Sequence, residues 1–273
     1  MLTVIDWVTA PFQYDFMQNA FIAGTLAAIL ASLVGFFVVI RQLGFAAHAL
    51  AHVGFAGATG AVLLGWIPLV GQLAITLFAA ILMAVTGKRI REKDTMIGIT
   101  LALALGLGVL FMHFYRAYGG QLNSILFGDI LGVSGYAIHW ISWLTLISIV
   151  CLSILSRPLW FASLAPSLAE ARSLSLLGLS VLFFGILAVT ITLASQVVGI
   201  LLVFALVIGP PAISLQWTKG FWSGITLSCA LSLLIVWTSI YAAYYADWPV
   251  SFWISTLVFI LYTVGAIKES WHT

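Results

Sequence analysis

Long runs of residues without a single charged side chain recur along this chain, and they constrain its fold more than any other feature. About 20 apolar residues cross the hydrocarbon core of a membrane as a helix, and nine runs reach or approach that length. They cover residues 17–40, 44–65, 72–87, 96–115, 137–155, 174–194, 197–209, 222–245 and 250–267. Only 7% of the residues are charged, against about 25% in a soluble domain. We therefore predict an all-α polytopic membrane protein with about nine transmembrane helices.

The basic residues predict the direction of these helices. An excess of Lys and Arg in cytoplasmic loops is the strongest orientation signal in such a sequence. With the N-terminus outside and the C-terminus in the cytoplasm, all basic residues except Arg116 fall on the inner side. The inner ones are Arg41, Lys88, Arg89, Arg91, Lys93, Arg157, Arg172, Lys219 and Lys268.

The first residues differ from the rest of the chain because they mix aromatic side chains with Asp6 and Asp15. We predict an outer interfacial segment over residues 1–16, since aromatic rings favour the membrane–water boundary. Residues 17–273 then form a single transmembrane domain. The net charge of +2 gives no indication of nucleic-acid binding.

Two histidines lie at membrane depth in the sequence HALAHVGFAG, where His48 and His52 stand four residues apart. On a helix this spacing places both side chains on one face. Ionisable residues inside membrane spans are costly and mark functional sites, and imidazole is a ligand for zinc, copper, iron and nickel. We expect the pair either to line a metal-ion pathway or to hydrogen-bond to backbone carbonyls in a packed core.

The stretch 119–135 is too polar to span a membrane and too apolar for a free loop. It predicts a short helix or a re-entrant segment packed on the outer side. Asp129 lies within it, and we expect its carboxylate either to cap a helix or to line an outer entrance.

Gly209, Pro210 and Pro211 predict an interruption of the seventh helix, because proline lacks an N–H and clashes with the preceding turn. The residues that follow predict either a short amphipathic helix on the inner surface or an ordinary interhelical turn. In the first case a soluble partner would dock there, and the anchors would be Leu215, Trp217 and Lys219.

Three stretches together resemble the permease family of ABC importers for zinc, manganese and iron. They are RQLGFAAHALAHVGFAGATGA at 41–61, DTMIGITLALALGLGVLF at 94–111 with ILFGDILGVS at 125–134, and SQVVGILLVFALVIGPPAISLQW at 195–217. The resemblance extends from about residue 17 to residue 267. The nine-helix count is also similar to that of a cobalamin-type ABC permease without its first helix.

The resemblance implies a multi-pass permease of the bacterial cytoplasmic (inner) membrane that imports a divalent metal ion. Its partners would be cytoplasmic ABC ATPase subunits, an extracytoplasmic metal-binding protein and a second copy of the chain. The segment from Gly209 to Lys219 would couple to the ATPases. The sequence contains no G-x-x-x-x-G-K-[ST] loop to hold phosphates, so we predict that ATP hydrolysis belongs to a partner. No permanently bound cofactor is expected, only the transported ion.

The chain departs from the family at the histidine pair, since the family has an aspartate where this chain has His48. Carboxylate suits manganese, whereas imidazole suits zinc, copper, iron and nickel. The exchange therefore favours zinc, with manganese and iron left open.

A haem-binding membrane subunit of a redox complex is the alternative function. His113 and His139 would then supply axial ligands from different helices, although both are expected near the membrane boundary.

Overall fold

The structure, a computed structural model, describes residues 9–86, 90–114, 124–171 and 174–270. This part of the chain is helical and contains no strand. The α-helices are α1 (Asp15–Ile40), α2 (Gly44–Leu63), α3 (Pro68–Thr86), α4 (Ile90–Phe114), α5 (Gly135–Leu164), α6 (Pro166–Ala171), α7 (Leu176–Val198), α8 (Val203–Trp217), α9 (Phe221–Ala246) and α10 (Val250–Ser270). Two short 3₁₀ turns cover Ala10–Gln13 and Ile130–Gly132.

The number of helices confirms the all-α polytopic prediction. Within the described ranges, eight helices are long and apolar enough to cross a membrane, and they are α1 to α5, α7, α9 and α10. The ninth apolar helix, α8, has only 15 residues. No membrane is present in the structure, so the inside–outside assignment stays a prediction.

Small side chains bring the central helices close together. α1 and α2 are the most buried of the long helices and α4 is the least. α1 packs against α5, α7, α8 and α9, while α2 lies against α3 and α4. Without water to drive apolar association, close contact between small residues and interhelical hydrogen bonds hold such helices together. One of these bonds runs from the Ser232 hydroxyl of α9 to the Ala28 carbonyl of α1, at 3.0 Å.

The predicted seventh span at 197–209 is wrong in position. Residues 197 and 198 complete α7, and a turn at Gly199, whose φ is +86°, separates α7 from α8. Positive φ is readily adopted by glycine, so the turn between the two helices lies at Gly199 rather than between residues 194 and 197 as predicted.

The predicted helix break at Gly209, Pro210 and Pro211 is also wrong, because α8 continues through all three buried residues to Trp217. Pro211 has no N–H to offer the Val207 carbonyl four residues earlier. That carbonyl instead faces Gly35 of α1, where an added methyl group would overlap its oxygen. In a membrane protein, neighbouring helices allow proline inside a helix in this way.

From residue 124 onwards, the predicted outer segment packs onto the turn between α7 and α8. Its location on the outer side stays a prediction. The backbone N–H groups of Ile200 and Leu201 donate to the carbonyls of Ile125 and Leu126, at 3.3 and 3.2 Å. The Asp129 N–H donates to the Gln196 carbonyl at 3.3 Å. Residues 119–123 of the predicted segment lie outside the described ranges.

Candidate functional site

His48 and His52 lie side by side on α2, as the four-residue spacing predicts. Their ring centroids are 4.6 Å apart and the rings meet edge to face at 82°. Both side chains are half-buried, whereas the residues between them are fully buried. The pair therefore lies on the one face of this part of α2 that the rest of the chain leaves partly open.

Phe204 of α8 covers one side of the pair. Its ring centroid lies 5.6 Å from that of His48 at 84°, and its edge approaches Gly44, one turn earlier on α2. Phe204 itself is 40% exposed. An aromatic ring thus fixes one edge of the His48 imidazole while the other side of the pair stays open.

Two imidazoles are the only clustered metal-ligating groups at this position. Among the described side chains, no three His, Cys, Asp or Glu residues come together. A zinc ion in a structural site takes four ligands, so a single copy of this chain offers half of such a set. A pair of neutral ligands on an open face is suited to transient binding rather than to tight retention.

The N-terminal end of α2 is held by Arg41, which follows α1 directly. Its guanidinium lies 5.1 Å from the centre of the Phe183 ring and donates to the Ser180 hydroxyl at 3.5 Å. Burial lowers the pKa of this guanidinium, and the face of the aromatic ring partly offsets the cost of burying its charge. These contacts anchor the start of the histidine helix to α7.

The C-terminal half of α2 packs tightly on α3 through glycines. A methyl group added at Gly57 would overlap the Gly71 carbonyl, and one added at Gly71 would overlap Ala61. This close approach places Gln72 of α3 behind α2, where its side chain is 2% exposed. The buried amide needs partners in such a position.

Gln72 finds these partners at the end of α7. Its Nε2 donates to the Ser195 hydroxyl at 2.6 Å, and its Oε1 accepts from Gln196 Nε2 at 3.4 Å. The cluster forms the floor of a cavity of about 240 Å³ between α3, α5, α7 and the outer segment. Polar groups therefore line a recess beyond the end of α7.

Asp129 borders the same cavity. Its Oδ1 accepts from the Gly132 N–H at 3.0 Å and caps the 3₁₀ turn Ile130–Gly132. The capping alternative is thus observed. A role in an outer entrance stays a prediction, supported by the position of Asp129 beside the cavity.

The predicted coupling residues are divided between core and surface. Gly209, Pro210 and Pro211 are buried within α8, Leu215 is half-buried, and Trp217 and Lys219 are exposed at the end of the helix. The predicted separate surface helix is absent from this described region, since the residues after the prolines continue α8. Between residues 209 and 220, the exposed side chains lie in the last turn of α8 and in the loop after it.

Sequence reasoning missed Phe204 and gave no pathway role to Gln72 or Ser195. The polar pair had a weak signal, since a glutamine and a serine in apolar runs require hydrogen-bond partners. Phe204 carried no signal in the sequence, because a single phenylalanine in an apolar run cannot be distinguished from one that only packs in the core.

A bundle of membrane-length helices with an ionisable pair inside it indicates an integral membrane protein with a functional site within the bundle. The model of the ABC 3 transport family matches residues 13–269, and the chain belongs to this family. It is therefore the membrane-spanning permease subunit of an ABC transporter, and ATP hydrolysis belongs to separate subunits. The family favours the permease prediction over the haem-binding alternative.

Relatives and solved structures agree with this family. The manganese import system permease protein ScaB of Streptococcus parasanguinis is 30% identical over 235 residues, covering 85% of this chain and 82% of that protein. A Haemophilus influenzae protein named "Probable iron transport system membrane protein" is 31% identical over 241 residues, covering 85% and 87%. The structure of PsaBC from Streptococcus pneumoniae in complex with Fab shares the fold, with a TM-score of 0.86, 24% identity and coverage of 96% and 95%.

Proposed function

We propose that this chain is the permease of an ATP-driven importer of a divalent transition-metal ion, and that zinc is the ion its histidine pair favours. The observation that carries the proposal is the side-by-side placement of His48 and His52 on the partly open face of α2. The relatives named for manganese and iron import support the metal class. The nitrogen ligands favour zinc over manganese within that class.

A second copy of the chain would complete the site. Ionisable side chains inside a membrane face protein or water rather than lipid, so the half-open imidazoles need a cover. A two-fold arrangement of permeases would bring two further imidazoles to the same place. Four nitrogen ligands would then match the tetrahedral preference of zinc.

The remaining partners are those that an ATP-driven importer requires. A cytoplasmic ATPase would dock at the end of α8 around Trp217 and Lys219, where the exposed surface lies. An extracytoplasmic metal-binding protein would deliver the ion at the opposite end, near the polar cavity that Asp129 borders. ATP binding and hydrolysis would alternate access to the histidine pair from the two sides.

Uptake of radioactive zinc and manganese into vesicles containing the complete transporter tests the proposal. His48→Ala and His52→Ala should each lower zinc uptake at least tenfold, while membrane insertion and assembly are retained. His48→Asp supplies the carboxylate that suits manganese, and it should shift preference from zinc towards manganese.

His139→Ala is the matched control, because this histidine lies on α5 and its Nδ1 contacts only the Gly135 carbonyl of its own helix, at 3.1 Å. It should transport like the unmodified protein. Unchanged zinc uptake in the His48→Ala, His52→Ala double variant would refute the metal-ligand role of the pair. Absence of transport of zinc, manganese and iron by the intact complex would refute the metal class itself.

A further inference from the structure

A groove on the membrane-facing side of the bundle contains neither His48 nor His52. It runs between α1, α5 and α9 and encloses a volume of about 640 Å³. One end is charged, and it contains Arg157 of α5, which is exposed. The other end is lined by aliphatic side chains of all three helices, namely Leu33, Ile149 and Ile225.

The length of α5 places Arg157 at a membrane boundary. α5 begins at Gly135, with the exposed aromatic residues Tyr136 and Trp140 in its first turns. Such residues favour the interface. Arg157 lies 22 residues further on, about 33 Å along the helix axis. This distance matches a hydrocarbon core of about 30 Å, so the guanidinium stands at the level of lipid headgroups on the opposite side.

The positions of nearby aromatic side chains support the placement of Arg157 at a membrane boundary. The same side chains also form part of the groove wall. Trp222, the second residue of α9, is 76% exposed on the rim. Trp160 packs against Phe221 with ring centroids 4.5 Å apart, and Phe37 of α1 lies 6.1 Å from the same ring. Indole rings at the headgroup level are typical of the membrane interface. The rings form a firm wall beside the arginine.

The interior of the groove changes from polar to apolar over a short distance. Ser153 and Ser156 line it next to Arg157, and their hydroxyls donate to carbonyls of α5 itself, at 2.7 Å each. Ile149 lies eight residues before Arg157, about 12 Å deeper along the axis. A positive group at headgroup level above an aliphatic channel is complementary to a phosphate followed by an acyl chain.

We propose that this groove binds one anionic phospholipid, with its phosphate on Arg157 and one acyl chain along Leu33, Ile149 and Ile225. Basic pockets between membrane helices on the cytoplasmic side bind anionic headgroups, and the distribution of basic residues assigns Arg157 to that side. A second copy of the chain fits this groove less well. A two-fold contact through it would bring the Arg157 residues of both copies near each other, and their like charges would repel.

Native mass spectrometry of the purified full-length chain tests this site, with phosphatidylglycerol and phosphatidylcholine of identical acyl chains as the two probes. The unmodified protein should bind phosphatidylglycerol about fivefold more tightly, which is the effect of one basic residue near an anionic lipid. Arg157→Gln should remove this preference, and Arg157→Lys should keep most of it. Lys268→Gln is the matched control, since Lys268 is an exposed basic residue on α10 outside the groove.

A steric variant tests the apolar part of the groove independently of charge. Ser153→Phe should fill the groove and weaken the binding of both lipids, because it gives up only a hydrogen bond within α5. Thr238→Phe on α9 is the control, because Thr238 is similarly exposed and bonds only to its own helix. If Arg157→Gln fails to fold, the comparison of Ser153→Phe with Thr238→Phe still tests whether a lipid occupies the groove.

Three results would overturn the proposal. The first is equal binding of the two lipids by the unmodified protein. The second is a preference for phosphatidylglycerol that survives Arg157→Gln together with binding of both lipids that Ser153→Phe leaves unchanged. The third is disulfide formation between two copies carrying Ser153→Cys in a background without Cys151 and Cys229, because protein rather than lipid would then cover the groove.

Discussion

In this permease, the immediate neighbours of a side chain at membrane depth define its role. The imidazoles of His48 and His52 meet at 4.6 Å between ring centroids, so protonation of both would place two positive charges beside each other. A metal ion competes with protons for the same nitrogen atoms, because only neutral imidazole binds metal. If the pair binds the transported ion, as proposed, metal transport would therefore be coupled to pH.

We expect zinc uptake to fall on acidification. Protonated imidazole does not bind metal, so the uptake rate should decline as the external pH is lowered from about 7.5 to about 5.5. Initial uptake rates in vesicles at clamped external pH would measure the effect, with ATP hydrolysis recorded in parallel. The His48→Ala, His52→Ala variant should show a flat residual rate. An equally steep decline in that variant would assign the pH effect to another part of the transporter.

Phe204 fixes the orientation of His48 by its edge-to-face contact. Phe204→Ala should lower zinc uptake severalfold through a higher KM, because His48 then samples orientations that do not bind metal. Phe204→Trp keeps an aromatic edge and should retain more activity than the alanine variant. Metal uptake and thermal stability measured together distinguish this positioning role from simple loss of packing. A Phe204→Ala protein with normal KM would contradict it.

At the scale of the helices, α8 and α1 are joined by an unusual contact. Pro211 leaves the Val207 carbonyl without its helical partner, and Gly35 of α1 packs directly against that oxygen. A helix that contains two consecutive prolines is thus stabilised from outside, by the close approach of its neighbour. The integrity of α8 depends on the absence of a side chain at position 35.

Gly35→Ala should therefore destabilise the protein, by about 1–3 kcal/mol as for other overpacked sites. Gly106→Ala on α4 is the matched control, since no atom outside its own helix lies within 4 Å of the added methyl group. It should be neutral or slightly stabilising, because alanine favours the helix over glycine by roughly 0.5–1 kcal/mol. Thermal unfolding in detergent would compare the two. Equal midpoints would show that α1 can move away from α8 without cost.

The end of α8 is the proposed attachment point for the ATPase. Deleting the whole of 212–219 would remove the buried residues Ile213 and Ser214 and damage the fold, so surface substitutions are the sharper test. Trp217→Ala combined with Lys219→Glu should abolish co-purification of the ATPase while the permease still inserts and unfolds normally. Trp248→Ala, which changes an exposed tryptophan at the other end of α9, should leave co-purification intact. Retained ATPase binding in the double variant would place the docking surface elsewhere.

At the scale of the whole molecule, the described helices are consistent with nine alternating crossings that begin on the outer side. α8 has only 15 residues, about 22 Å of helix, which is shorter than the hydrocarbon core of about 30 Å. Its place in the protein interior against α1, α9 and α10 makes this length tolerable. Nine crossings would place the two ends of the chain on opposite sides of the membrane.

Cysteine labelling tests this topology. Leu64→Cys, in the turn between α2 and α3, and Lys219→Cys, after α8, should react with an impermeant reagent from opposite sides. Cys151 and Cys229 must first be replaced, because both are free thiols. Leu64 should be the outer position. Reaction of both from one side would refute the nine-crossing arrangement and its orientation.

The sequence by itself determined the helical membrane fold, the adjacency of His48 and His52, and the resemblance to a permease family. These are consequences of local spacing, since apolar run length and helical periodicity need no knowledge of distant residues. The tertiary structure alone decided that α8 continues through Pro210 and Pro211 and that α7 ends at Gly199. It alone also brought Phe204 to His48, Gln72 to Ser195, and Arg157 to an aromatic groove. Each of these depends on a contact between residues far apart in the chain, and in a bundle of uniformly apolar helices the sequence pattern does not specify which faces meet.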